Sequence, residues 1–202
     1  MMLQTAIVAS ENTPRPEYSS PMDADAFEIL GIEPGFEIDL EEVEQAFLAR
    51  LASIHPDVAR EGDSALLTAR LNAAREVLED PERRAWALVS RLTGGEKVQD
   101  RSLPDGFLPE IMEVREEVET AVASGDASRL ASWREWARDR RAQHMSRVTG
   151  MFNAMVEGGG RPGGSAVRDL IRELNAWRYI ERLIEQVSEV EGRRAELDDR
   201  AP

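Results

Sequence analysis

Few side chains in this sequence titrate near neutral pH or bind transition metals through nitrogen or sulfur. There are two histidines, His55 and His144, and no cysteine. His55 stands in "SIHPDVAR", residues 53–60, with Asp57 just beyond Pro56. An imidazole and a carboxylate this close in sequence can form a general acid–base pair, or can present two polar groups on a docking loop. The enzymatic reading lacks parts: no Ser or Cys nucleophile is placed with the pair, and one His plus one Asp does not close a metal site. Without cysteine the chain has no disulfides, no thiolate metal sites and no iron–sulfur cluster held on its own sulfurs. His144 shares an apolar stripe with Leu130, Trp133, Ala137, Val148 and Met155, so it reads as a satisfied core histidine and not as a ligand. On these residues the chain is not an enzyme and binds no cofactor or metal of its own.

Composition narrows the partners. The 202 residues, 42% apolar and 32% charged, suit a soluble globular protein of one or two domains. A balance of 25 basic against 39 acidic residues, net −14, argues against nucleic acid and anionic membranes as partners. No apolar run approaches the roughly 20 residues that span a bilayer. Residues 1–22, with "SENTPRPEYSSP", read as a disordered tail and not as a signal or transit peptide, which leaves a cytoplasmic location as the expectation.

The elements that must position the triplet are helices. Spacings of three and four recur and β-branched alternation is nowhere sustained, so the expected fold is all-α. Asp23 or Asp25 can cap a short helix over "AFEIL" that stops at Gly31. Asp39 caps a second helix, with Leu40, Val43, Phe47, Leu51 and Ile54 on one stripe that ends at the triplet. Pro56 removes a backbone donor and disfavours the helical conformation at His55, so the helix ends there and the imidazole and carboxylate point outward on an exposed, rigid loop. After a loop around Gly62, a third helix carries Leu67, Leu71, Ala74 and Leu78. Asp80 and Pro81 then open a fourth, which Gly94 and Gly95 close.

These four helices give a first domain over residues 23–95, and 96–104 read as a linker. A second domain over 105–198 holds three longer helical segments, at about 106–124, 128–156 and 165–197, separated by "GDAS" and "GGGRPGG". Such connections suit an antiparallel three-helix bundle. On the first of the three, Phe107, Ile111, Val114, Val118 and Val122 share one arc and should be core. Leu108 and Met112 fall off that arc beside Arg115 and Glu119, and two apolar residues on a charged flank point to a contact patch. Tyr179 lies opposite Leu174 and Trp177 on the last helix. Trp133 and Trp136 read as packing, and "RDRRAQ", residues 138–143, as a solvated helix face.

A short helix, an amphipathic helix ending in "HPD", a loop and an antiparallel helix together resemble a J-domain, the module that stimulates ATP hydrolysis by DnaK-type chaperones. That resemblance implies that His55, Pro56 and Asp57 contact the chaperone, flanked by Arg50 and Arg60, and do no chemistry themselves. "LEDPERRAWALVSRLTG" followed by "LPDGFLPEIMEVREEVETAV" resembles the HscB family of iron–sulfur cluster assembly co-chaperones, over about residues 24–190. Membership implies two partners, a DnaK-type (HscA-like) chaperone and an iron–sulfur cluster scaffold protein (IscU-like). It implies that positions matching Leu108, Met112, Glu113, Arg115, Glu116 and Tyr179 form the scaffold-binding face. The alternatives are a J-domain co-chaperone for another client, or a degenerate J-like structural or regulatory protein. The chain departs from the family in charge. The helix before the triplet offers Ala46, Ala49, Ala52 and Ser53 where a basic face is usual, and Arg50 is its lone cation. Val58 follows Asp57 where a lysine or arginine is common. Residues 23–95 carry 7 basic and 16 acidic residues, a net of −9, with Arg60, Arg70 and Arg75 expected as partial replacements. The Cys-rich zinc extension of some eukaryotic members is also missing.

Overall fold

The computed structural model describes residues 26–54, 61–96, 98–158 and 162–199. Among them the chain is all-α, with no strand. Four shorter helices come first, α1 (Ala26–Leu30), α2 (Leu40–Ala52), α3 (Glu61–Glu79) and α4 (Pro81–Leu92). Three longer ones follow, α5 (Phe107–Ser124), α6 (Ala127–Glu157) and α7 (Gly164–Asp199).

Local chemistry sets most of these ends. Gly31, at φ +75°, closes α1, a conformation that costs glycine little because it has no Cβ. Asp39 caps α2 by accepting from the Glu41 amide at 2.8 Å. Asp80 caps α4 by accepting from the Arg83 amide at 3.0 Å, with Pro81 in the first turn, where its missing N–H costs nothing. Gly125, at φ +67°, ends α5, and the next residue, Asp126, starts α6 by accepting from the Arg129 amide at 3.1 Å. The candidate caps Asp23 and Asp25 lie outside the described residues.

Three expectations are corrected. The loop around Gly62 is helical from Glu61, because a glycine in a first turn is cheaper than one in a helix interior. Leu40 and Leu67, placed with the apolar residues of their helices, are 51% and 44% exposed. Periodicity fixes the direction of a side chain, but cover depends on where the neighbouring helices end. The third concerns Val114 and Val122, which are half-buried and pack against the edge of the core cluster.

The chain divides into two compact units. Of the described residues, those up to 100 and those from 148 to 171 form one, and those from 101 to 147 and from 172 to 199 form the other. In the first, α3 packs against α1, α2 and α4 around Phe27, Leu30, Val43, Phe47, Leu78 and Val89. The outer parts of α6 and α7 belong to this unit: Phe152 stacks on Phe36 at 5.3 Å and Asn153 donates to Glu37 at 3.2 Å. The second unit closes over Phe107, Ile111 and Val118 of α5, Trp133 and Ala137 of α6, and Ala176, Ile180, Leu183 and Val187 of α7. Ser102 and Leu103 are anchored there. Asn175 donates to the Ser102 carbonyl at 3.0 Å, and Leu103 packs on the cluster.

Candidate protein-docking site

The face of α5 turned away from its core carries the candidate patch. Phe107, Ile111 and Val118 are buried, whereas Leu108 is 49% and Met112 57% exposed one turn apart. Glu113 and Glu116 flank them in solvent, and Arg115 is half-buried. Tyr179 on α7 is 40% exposed between neighbours that are not: Leu174, Trp177 and Ile180 are fully buried. Its ring meets the ring of Phe107 edge to face at 6.1 Å, which sets the phenol against the first residue of α5. Packing therefore uses none of Leu108, Met112 and Tyr179 fully, and burying the apolar part of this surface requires another molecule.

Ion pairs hold the three helices under this patch. Arg140 of α6 pairs with Glu110 of α5 and lies over the Trp136 ring. Arg141 pairs with Glu181 of α7 at 2.5 Å, and Glu181 also accepts from the Trp177 indole at 2.8 Å. Two arginines of "RDRRAQ" are thus engaged between helices, which corrects the reading of that stretch as a solvated face. Trp133 and Trp136 pack together at 4.9 Å, as read.

His144 is a core residue, 1% exposed, whose Nδ1 lies 2.6 Å from Glu173 Oε1. Arg147 donates to the same oxygen at 3.1 Å. Sequence reasoning missed Glu173. It shares a helix face of α7 with Leu170, Leu174 and Trp177, and an acid on an otherwise apolar stripe is the signal that a partner faces it. Burial pushes the Glu173 carboxyl up, but the hydrogen bonds and charges of His144 and Arg147 outweigh burial and hold it below the usual carboxylate value. A depressed folded-state pKa gives stability that is present above the unfolded value, about 4.3, and is lost as pH falls through the folded value. The acid limb of a pH–melting curve should therefore be shallower below about pH 4 in Glu173→Gln than in the wild type; superimposable limbs would mean that this carboxylate carries none of the acid sensitivity.

The second candidate surface is the triplet. His55, Pro56, Asp57 and the flanking Arg60 lie outside the described residues, as does Val58. Of the cations around it, Arg50 is exposed, its guanidinium close enough to Gly31 that a Cβ there would sit 2.8 Å from Nη2. Arg70 is exposed on α3. Arg75 does not replace the missing charge as expected. It bonds Glu44 at 3.2 Å and Glu79 at 3.4 Å, and lies 4.6 Å over the Phe47 ring. Arg83 pairs with Glu76 and Asp80, and Arg91 with Glu28. Arg84 is buried and donates to backbone carbonyls of Phe36, at 2.8 Å, and of Leu78. No described helix is long and apolar enough to cross a membrane, and the described residues hold no group of three or more potential ligands suited to a metal.

Comparison with known proteins finds relatives over both parts of the chain. Residues 25–87 match the DnaJ domain family and residues 103–188 the HSCB C-terminal oligomerisation domain family. A co-chaperone protein HscB homolog of Acinetobacter baumannii (strain SDF) is 25% identical over 175 residues, 86% of this chain and 94% of that protein. The HscB homolog of Neisseria meningitidis serogroup A is 29% identical over 120 residues, 56% of this chain and 72% of that protein. Among solved structures, chaperone HscB from Vibrio cholerae superposes with a TM-score of 0.64 at 26% identity, covering 83% of this chain and 98% of the other. The human co-chaperone protein HscB shares the fold, with a TM-score of 0.66 at 17% identity over 89% of this chain and 84% of its own.

Proposed function

Since this chain belongs to the HscB family of J-domain co-chaperones, we propose that its C-terminal bundle captures an iron–sulfur cluster scaffold protein and its J-domain presents that complex to a DnaK-type chaperone. The observation that carries the reading is the patch of Leu108, Met112 and Tyr179, left open on a unit whose core is otherwise closed. A few apolar anchors with a rim of Glu113, Arg115 and Glu116 suit a modest, transient grip, as a handover requires. The cluster stays on the scaffold as cargo; this chain has no thiolate to take it. His55, Pro56 and Asp57 then engage the chaperone and trigger its ATPase, which favours release of the cluster to an acceptor. Their assignment rests on the triplet and on the DnaJ match that contains it.

One observation favours a second reading, a J-domain that no longer activates a chaperone. Arg75, Arg83, Arg84 and Arg91 are all engaged internally, which leaves little positive field to steer the domain onto an acidic partner. Steady-state ATP hydrolysis by the organism's own DnaK-type chaperones separates the two. Stimulation that rises with the scaffold and disappears in His55→Gln is the expected result. A folded wild-type protein that stimulates none of them would leave the second reading standing.

A further inference from the structure

We propose that His144 is a positioning residue for the docking face: its imidazole, held at a set angle by the Glu173 carboxylate, walls the Phe107 ring and through it fixes Tyr179 and the first turn of α5. The inference rests on the scaffold-docking reading above and deepens it.

The contacts run from the buried interior to the surface in three steps. The His144 side chain is 2% exposed, and its Nδ1–H donates at 2.6 Å to a carboxylate oxygen that Arg147 also holds at 3.1 Å, so the ring has little freedom to turn. Its ring centroid stands 5.9 Å from that of Phe107 at an interplanar angle of 77°, and Phe107 meets Tyr179 at 6.1 Å and 71°. Both are edge-to-face arrangements, which depend on ring orientation more than simple apolar burial does. Phe107 is the first residue of α5 and Leu108 the second. The N-cap is Gly106, at φ +79° with no side-chain cap, so no polar side chain pins the helix start and the packing of Phe107 must do so. His144 Nε2, in contrast, makes no hydrogen bond among the described residues. Burying a polar nitrogen without a partner is an expensive way to fill space, and an aliphatic residue would do it more cheaply. The imidazole is explained if what is needed is a flat wall with one edge fastened to Glu173.

The test is a double-mutant cycle on the full chain, read as affinity for the same organism's purified cluster scaffold protein, with thermal melting as the control. His144→Asn keeps an amide able to reach Glu173 but removes the wall, so a purely structural clamp between α6 and α7 would survive it. Affinity is expected to fall about tenfold in His144→Asn, and by clearly less when the same change is made in Tyr179→Ala, where only the α5 branch is left to lose. Should the Asn variant not fold, His144→Phe serves instead. It keeps a wall without the fastening and is expected to lose about threefold in affinity, a loss again smaller in the Tyr179→Ala background. Wild-type affinity in the folded variant, or a loss that adds in full to that of Tyr179→Ala, would overturn this inference and leave the docking reading intact. Wild-type affinity in Tyr179→Ala itself would remove the phenol from the docking face and overturn this inference, while the docking reading stands or falls on Leu108 and Met112.

Discussion

A Leu108→Ser/Met112→Ser double variant is expected to bind the cluster scaffold protein at least about a hundredfold more weakly than the wild type while melting at nearly the same temperature. The two halves of this expectation have one cause. Leu108 and Met112 are 49% and 57% exposed, so the fold draws little of its stability from them and loses little when they become polar. At a docked surface they become the buried anchors, and removing one such anchor costs about 2 kcal/mol. Two neighbouring anchors will not add perfectly, but about 3 kcal/mol together is a factor of more than a hundred in affinity. Charge reversal on the rim, Glu113→Lys, should act mainly on the association rate and its salt dependence. Isothermal titration beside a melting curve checks the double variant. Affinity within threefold of wild type would move the docking face off α5.

Arg84→Ala should destabilise the J-domain unit by about 3 kcal/mol, as read from denaturant unfolding, and Arg84→Lys should recover little of that. The guanidinium is buried, donates Nε to the Phe36 carbonyl at 2.8 Å and Nη1 to the Leu78 carbonyl, and lies 5.4 Å over the Phe36 ring. Burial pulls its pKa below the usual arginine value, against the opposing pull of Asp80, yet at neutral pH it remains a cation. Those two carbonyls belong to the α1–α2 connection and to the end of α3, so one side chain ties together segments that are 42 residues apart (36 and 78). Alanine leaves both acceptors without their charged donor, and each such bond is worth about 1.5–3 kcal/mol. Recovered desolvation of the cation offsets part of the sum. A lysine has a point charge in place of the fork and cannot reach both carbonyls in one geometry. Stability of Arg84→Lys equal to wild type would show that charge alone, and not the fork, is what the site uses.

Nothing in the residue pattern sets Arg84 apart. In "LEDPERRAWALVSRLTG" it stands next to Arg83, and the two are indistinguishable by type or neighbourhood. Arg83 is half-buried and pairs with acids within seven positions, Glu76 and Asp80. Arg84 is turned 100° further round the helix, into the core, and its partners are backbone groups that no residue pattern marks. Arg75 shows the same limit from the other side. From α3 alone it is a free cation, but Glu44 of α2 lies opposite and neutralises it.

The exposed patch on α5 was more legible. Leu108 and Met112 stood off the apolar arc of α5 by helical arithmetic, and both are exposed where that arithmetic put them. Tyr179 is likewise exposed between buried neighbours. What the arithmetic did not supply is that Phe107 carries Tyr179 on one contact and His144 on another.

The sequence by itself determined the helices, most of their ends and the family resemblance. Asp39, Asp80 with Pro81, Gly31, Gly125 and Asp126 act through hydrogen bonds and dihedral preferences that reach no more than about four residues, so they are complete in any short window. Only the tertiary structure decided which arginines stay available, that Glu173 rather than solvent receives His144 and Arg147, and that the outer parts of α6 and α7 group with the first four helices. A period of 3.6 residues tells each side chain which way to point, but the residue it meets there depends on the lengths and ends of other helices, and that information is spread over the whole chain.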